Sequence, residues 1–197
     1  MPASAQTPNS AQPEKPLSGV PTIDAYSKEL DSFAKRNRNR ALAFSKIIPE
    51  DQPGETLSGN WREFKTAKAR ESDYNSNHLY DVGDVWLRAG KVVVAEFEYG
   101  TSGDWSQYVT YYFRADGSLA KMRNVFGKFM GTIKIVKEKF YDSNGKLLHT
   151  RLKCYDLEIE GRRKKCTSDA SQYDSELYKR VQNLPVYQLL KSRLARQ

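Results

Sequence analysis

The sequence predicts an α+β fold, in which an antiparallel β-meander of about eight strands is packed with an N-terminal helix and C-terminal helices. Turn dipeptides such as Asp116-Gly117 and Asn144-Gly145 recur at intervals that suit a strand and its return. Between these turns, apolar and polar side chains alternate, and at both ends of the chain apolar residues have helical spacing. The meander is expected to form a curved sheet or a partly open barrel.

Residues 1–21 are predicted to be a flexible tail that follows a cleaved signal peptide. They are rich in Gln, Pro, Ser, Asn and Thr, and Ala3-Ser4-Ala5 matches the small-residue pattern after which signal peptidases cleave. We therefore expect an exported protein, periplasmic or secreted. No charged or apolar signal segment precedes that pattern in this chain, so whether Met1 is the natural start stays open.

Residues 22–197 are expected to form one domain, since a chain of 197 residues with 39% hydrophobic residues can bury one ordinary core. The domain is predicted to begin with a helix over residues 22–48, capped by Thr22 after Pro21. Apolar residues lie near one face of this helix: Ile23, Tyr26, Leu30, Phe33, Ala41, Phe44 and Ile47. No window is long and apolar enough for a transmembrane helix.

The β-meander is predicted over residues 58–168, and its best example is the strand after Ala89-Gly90. Val93 and Ala95 share one face with the two aromatics that follow, while Glu96 and Glu98 point the other way. Residues 112–119 and 140–147 both contain two aromatics, a turn and a leucine in the same order. The requirements of a β-hairpin explain this similarity without common descent. We assign no family from this repeat.

Residues 171–196 are predicted to form two helices that close the domain. Ser171 and Asp174 offer an N-terminal cap for the first, which should extend through Gln182, and Pro185 opens the second. Apolar residues in the second helix form a stripe that should face the sheet: Leu184, Val186, Leu189, Leu190 and Leu194.

The two cysteines predict a disulfide bond. Cys154 and Cys166 flank the Glu160-Gly161 turn, and a three-residue hairpin loop would make them a directly facing pair. The alternative is two unrelated buried thiols. A metal site is not expected, because neither histidine has metal-ligand spacing to a cysteine, and no cofactor motif occurs.

Catalytic residues are not identified. His78 lies among polar residues and carboxylates, so a general base can be drawn there, but no nucleophile accompanies it. A hydrolase that uses His78 is therefore the weakest hypothesis for function. Glu96 and Glu98 fit the wet face of a sheet better than a pair of glycosidase carboxylates. Whether the protein is an enzyme stays open, with binding favoured over catalysis.

The basic charge of the chain indicates an acidic partner. The formal net charge is +8, and the densest cluster is Arg162, Arg163, Lys164 and Lys165 at a hairpin tip. Nucleic acid is disfavoured, since no RNP-like strand or recognition helix accompanies the charge. An anionic envelope polymer, a lipid surface or a protein is the expected partner.

Two hypotheses for function follow. The first is a non-catalytic binding or structural module of the bacterial envelope, which uses the curved sheet and the basic hairpin. The second is a carrier of a small apolar molecule or lipid, in a half-barrel cavity lined by Phe97, Tyr99, Trp105, Tyr111 and Phe113. The sequence fixes neither the ligand nor the oligomeric state.

Overall fold

The computed structural model describes residues 18–47, 60–74, 79–99, 105–128, 132–166 and 174–194. Its helices are α1 (Val20–Arg36), α2 (Ala67–Tyr74) and α3 (Tyr187–Leu194). Its strands are β1 (Leu42–Ile47), β2 (Asn60–Phe64), β3 (Leu79–Arg88), β4 (Lys91–Tyr99), β5 (Trp105–Phe113), β6 (Leu119–Lys128), β7 (Ile133–Tyr141), β8 (Leu147–Asp156) and β9 (Arg163–Lys164). Of the helices described, none is long and apolar enough to cross a membrane.

The predicted α+β class and antiparallel meander are confirmed. The strands form one open sheet of nine in the order β2-β1-β3-β4-β5-β6-β7-β8-β9. From β3 onward each strand pairs with the next along the chain, and only β2 departs from this order by lying outside β1. The hairpin turns match the sequence, because Gly117 and Gly145 both adopt φ +78°.

The N-terminal helix is shorter than the predicted 22–48. It ends at Arg36, a 3₁₀ turn covers Arg38–Arg40, and residues 42–47 form β1 between β2 and β3. Apolar residues at 41, 44 and 47 fit helical spacing, but the pairing partners of this segment lie far along the chain. The tertiary context therefore overrides the local periodicity.

The sheet has two faces with different covers. The core face carries Phe97, Tyr111 and Phe113, all with no exposed surface, and the C-terminal segment 174–194 packs on it. The other face, called the outer face, is covered at one end by α1. Leu30 of α1 is also completely buried, against Trp86 and other apolar residues of that face. The sheet is thus the middle layer of the fold.

The C-terminal segment is less helical than expected. Residues 174–178 have no helical structure, Val181–Asn183 form a 3₁₀ turn, and only α3 is an α-helix. Ser171 lies outside the described residues. Backbone bonds from Leu119 to Lys179 and from Val181 to Gly117 hold the segment against the β5–β6 hairpin. Contact with the sheet therefore replaces the first predicted helix.

Helix α2 was not expected from the sequence, and it ties β1 to β3. Its Arg70 donates to the carbonyl oxygens of Phe44 at 3.2 Å and Gly83 at 3.0 Å. The same guanidinium contacts both carboxylate oxygens of Asp84, at 2.8 and 3.2 Å. Such a two-pronged contact fixes geometry better than a single ion pair, so α2 is anchored on the outer face.

The predicted disulfide is confirmed. Cys154 and Cys166 are bonded, with Cα atoms 5.3 Å apart. They are not directly opposed, since Cys154 is paired in register with Lys164. The loop between β8 and β9 is longer than the three residues predicted, because Asp156 Oδ1 accepts bonds from the backbone of Glu158 and Ile159 and starts a wider turn.

Candidate binding surface on the open sheet face

A large part of the outer face is left uncovered by α1 and α2, and polar side chains line it. Its geometry follows from the strand register, which places residues of neighbouring strands in rows that run across the sheet. We call each such row a rung. The first rung lies under α1, and three further rungs form what we call the open face.

The first rung is structural. It consists of Trp86, Val94, Tyr112, Lys121, Phe140 and His149. Tyr112 is buried and its hydroxyl donates to Asp31 of α1 at 2.7 Å. Burial, with the charge of Asp31, raises the pKa of the Tyr112 hydroxyl. This rung therefore fixes α1 on the sheet and marks one border of the open face.

The open face consists of the second, third and fourth rungs, and it carries many charged side chains. The second rung is Asp84, Glu96, Thr110, Arg123, Glu138 and Arg151. The third is Val82, Glu98, Tyr108, Val125, Val136 and Lys153. The fourth is Ser106, Gly127, Lys134, Tyr155 and Arg163.

Charge on the open face is segregated by strand. The carboxylates of Asp84, Glu96 and Glu98 lie on β3 and β4, which form the acidic half. The basic half lies on β6 to β9 and carries Arg123, Lys134, Lys153 and Arg163 in addition to the Glu138–Arg151 pair. Thr110 and Tyr108 of β5 separate the halves. The face is therefore electrostatically two-sided.

Glu138 in the basic half is already neutralised by cations. Its carboxylate contacts Lys121 Nζ at 2.7 Å and Arg151 at 3.2 Å. Although burial acts in the opposite direction, the hydrogen bond and charge of Lys121, together with Arg151, lower the pKa of Glu138. Glu138 therefore stays ionised and paired, and it does not offset the remaining cations of the basic half.

A basin of about 620 Å³ lies on the basic half. Arg123, Lys134 and Lys153 line it around Val136 and Tyr155, and the carboxylates that also line it are Glu138, Asp156 and Glu160. The Asp156 carboxylate at its border is held by Lys164 Nζ at 3.1 Å. Within the described residues, no carboxylate lies within ion-pair distance of Lys134 or Lys153. These two lysines can therefore bind an anion from solution.

A second basin, of about 280 Å³, lies between α1 and the acidic half. Its lining includes the carboxylates Asp31, Asp84 and Glu96 and the cations Lys35 and Arg38. Partial burial of the carboxylate and the charges of Asp84 and Asp31 raise the pKa of Glu96, although its side chain keeps contact with solvent. Thr110 donates to this carboxylate at 3.1 Å, which leaves other lone pairs of Glu96 for a ligand.

The predicted aromatic site lies on the core face. Phe97 contacts Tyr99 and Tyr111, with ring centroids 6.2 and 6.0 Å apart, and Tyr111 stacks against Phe113. Trp105 is separate from these four and stacks on Phe126 at 5.9 Å, beside the disulfide. None of the predicted aromatics lines either basin described above. The carrier hypothesis stays a prediction.

The predicted basic hairpin is only partly a free surface. Arg162, Arg163 and Lys165 are exposed. Lys164, in contrast, donates to Thr132 O and Oγ1, both at 2.9 Å, and pairs with Asp156. Arg163 lies over the Tyr155 ring, 5.9 Å from its centroid, and this contact joins the hairpin to the fourth rung.

His78 lies outside the described residues, so the hydrolase hypothesis stays a prediction. In the parts of the chain that the structure describes, no group of His, Cys, Asp and Glu side chains is arranged to hold a metal ion. Sequence reasoning missed Arg123, Lys134 and Lys153, which lie on three different strands. Lys134 lies between Ile133 and Ile135, which indicates an outward-facing side chain. Only the strand register shows that the three cations border one basin.

Comparison with known proteins yields no match for this chain among family models, curated proteins or solved structures. The open face is therefore interpreted from its own geometry.

Proposed function

We propose that the protein is a non-catalytic binding module of the bacterial envelope that holds an acidic partner on the basic half of the open face. The observation that carries this proposal is the basin between β6 and β8, where Lys134 and Lys153 lack a carboxylate partner among the described residues. Cations that are not neutralised internally attract an anion from solution. The concave shape supports this role, because the low-dielectric walls of a cleft concentrate the field.

Export of the protein is part of the proposal. The Cys154–Cys166 bond supports it, since disulfides persist in oxidising compartments such as the periplasm and are rare in the cytosol. The bond lies next to β9, whose Arg163 belongs to the basic half. An oxidising compartment would therefore preserve both the hairpin and the position of one binding cation.

Removal of two lysines from the basic half tests the proposal. Lys134→Gln/Lys153→Gln is compared with Lys91→Gln/Lys191→Gln, which removes the same charge from exposed positions elsewhere. Binding to fluorescently labelled polyglutamate, polyphosphate and polygalacturonate is measured by anisotropy at several salt concentrations. Two lost ion pairs of roughly 0.5–1 kcal/mol each predict about tenfold weaker binding for the first variant only.

The wild-type protein and the control variant should bind at least one of these polyanions, and added salt should weaken the binding. Equal loss in both double variants would mean that net charge, and not the open face, controls binding. Lack of binding to every polyanion by the wild-type protein would refute the proposed function. Circular dichroism spectra of the variants show whether the substitutions leave the fold intact.

A further inference from the structure

We infer, building on the proposed function, that the acidic partner is a polysaccharide that carries acid groups. Its acid groups bind the cations of the basic half, and its hydroxyl groups donate hydrogen bonds to Glu96 and Glu98 of the acidic half. The ligand lies across the strands, from β4 towards β9. The two-sided charge of the open face is the reason for this choice of ligand class.

A chain that carries only anionic groups, and no hydroxyl groups, does not fit the acidic half. Of the carboxylates there, Asp84 is held by Arg70 at 2.8 Å, but no cation within ion-pair distance holds Glu96 or Glu98 in the described structure. Glu98 accepts one hydrogen bond from Tyr108, at 2.9 Å. A carboxylate has about four lone-pair sites, so both groups can accept further donors. Hydroxyl groups supply such donors without charge repulsion.

The spacing of the two halves calls for an extended ligand. Glu96 and Glu98 lie on β4, whereas Lys134 and Lys153 lie on β7 and β8. Three or four strand spacings of about 4.8 Å separate them, so the backbones are roughly 14–19 Å apart. A single small anion cannot contact both halves, but a chain of several sugar units can.

The shape of the open face argues against a lipid bilayer as the partner. The basin is bordered by Leu157, Glu160 and Gly161 of the β8–β9 loop. This loop reaches over the fourth rung, since a Cβ placed on Gly127 would lie only 3.4 Å from Leu157 Cδ1. Helix α1 covers the opposite border, where Leu30 packs on the sheet. A flat membrane surface would meet the borders before the floor, whereas a single polymer chain can lie between them.

The aromatic residues of the open face disfavour single-stranded nucleic acid. Recognition of such strands depends on aromatic rings on which bases stack. The Tyr155 ring has the Arg163 guanidinium over one face, 5.9 Å from the ring centroid. A phosphate backbone would also meet the carboxylates of the acidic half. An acidic polysaccharide satisfies both halves.

The test uses Glu96→Ala/Glu98→Ala in the full chain, because the two ligand classes respond to this variant in opposite directions. Loss of the hydroxyl acceptors should weaken binding of polygalacturonate about fivefold. Loss of negative charge should at the same time strengthen binding of polyphosphate, which carries no hydroxyl groups along its chain. Wild-type protein should prefer polygalacturonate to polyphosphate, and neutral dextran should bind to neither protein.

Glu29→Ala/Glu71→Ala is the matched control, since it removes the same charge from exposed residues of α1 and α2. It should leave the preference for polygalacturonate unchanged. Tighter binding of both polymers by Glu96→Ala/Glu98→Ala would overturn the inference. A wild-type preference for polyphosphate, single-stranded DNA or phosphatidylglycerol vesicles would also overturn it while the proposed function stands. No binding to any polyanion would refute both.

Discussion

At the residue scale, the ammonium of Lys121 is held by several contacts and is buried under α1. Its Nζ contacts Asp24 at 2.8 Å, Glu138 at 2.7 Å and the Ser27 hydroxyl at 3.1 Å. The cation also lies 5.0 Å from the centroid of the Phe140 ring. A buried charge is tolerated only when it is paired and hydrogen-bonded. Asp24 comes from α1, so this pairing links the N-terminal helix to β6 and β7.

Substitution of Asp24 is predicted to destabilise the protein in a pH-dependent way. Burial opposes the shift, but the hydrogen bond and charge of Lys121, together with Arg151, lower the pKa of Asp24 to about 2 from 3.8. A lowered pKa in the folded state stabilises the protein above the unfolded value and ceases to do so as the pH falls through the folded value. Asp24→Asn should therefore lower the free energy of unfolding by about 1–2 kcal/mol at pH 7.

Urea unfolding of both proteins between pH 7 and pH 2 measures this difference. It should be constant above about pH 5 and shrink as the pH falls from 4 towards 2. Glu71→Gln, on the exposed side of α2, serves as the control and should have little effect on unfolding. A difference for Asp24→Asn that stays the same at every pH would contradict the role given to its charge.

At the scale of elements, the β8–β9 hairpin illustrates how a weak strand is held in place. Only Arg163 and Lys164 form β9, and it lies at the edge of the sheet. Two residue pairs contribute little ladder bonding, so the position of β9 depends on the disulfide and on the contacts of Lys164 with Thr132 and Asp156. The same contacts place Arg163 on the open face.

Reduction of the disulfide is predicted to lower the free energy of unfolding by about 2–4 kcal/mol, because it frees a closed loop in the unfolded chain. Binding of polyanions should also weaken, since β9 would no longer hold Arg163 on the fourth rung. Denaturant unfolding and anisotropy, each with and without reductant, measure both effects. Cys154→Ala/Cys166→Ala should match the reduced protein and be insensitive to reductant. Identical stability in both redox states would contradict the prediction.

At the scale of the whole molecule, the two ends of the described chain pack on opposite faces of the sheet, and the outer face is only partly covered. Helix α1 covers part of the outer face with Ile23 and Leu30, and the C-terminal segment covers the core face with Val186 and Leu190. All of these side chains have no exposed surface. Because each cover depends on the same strands, the layers are expected to unfold together, as one domain.

Leu190→Ala tests this cooperativity. Truncation of a completely buried leucine should lower the free energy of unfolding by about 2–5 kcal/mol. Far-UV circular dichroism and tryptophan fluorescence should show the same lowered midpoint, since two-state unfolding gives coincident transitions. Gln188→Ala, an exposed change in the same helix, should leave the midpoint nearly unchanged. Separate transitions for the two probes would show that the C-terminal segment unfolds independently.

Local patterns in the sequence were sufficient for most strands, for several hairpin turns and for the disulfide. They were insufficient for residues 42–47, because the apolar spacing of Ala41, Phe44 and Ile47 fits a helix as well as a strand. The candidate surface was harder still. Arg123, Lys134 and Lys153 are separated along the chain, and no local pattern shows that they border one basin.

The sequence by itself determined the two-residue periodicity and the turns at Asp116-Gly117 and Asn144-Gly145, and it favoured the pairing of Cys154 with Cys166, since these depend on neighbours along the chain. Only the tertiary structure decided which face each helix covers and how charges line up across β3 to β9. The physical reason is register. A shift of one residue between two strands would move every side chain to the opposite face, and that register is fixed by contacts between residues far apart in the sequence.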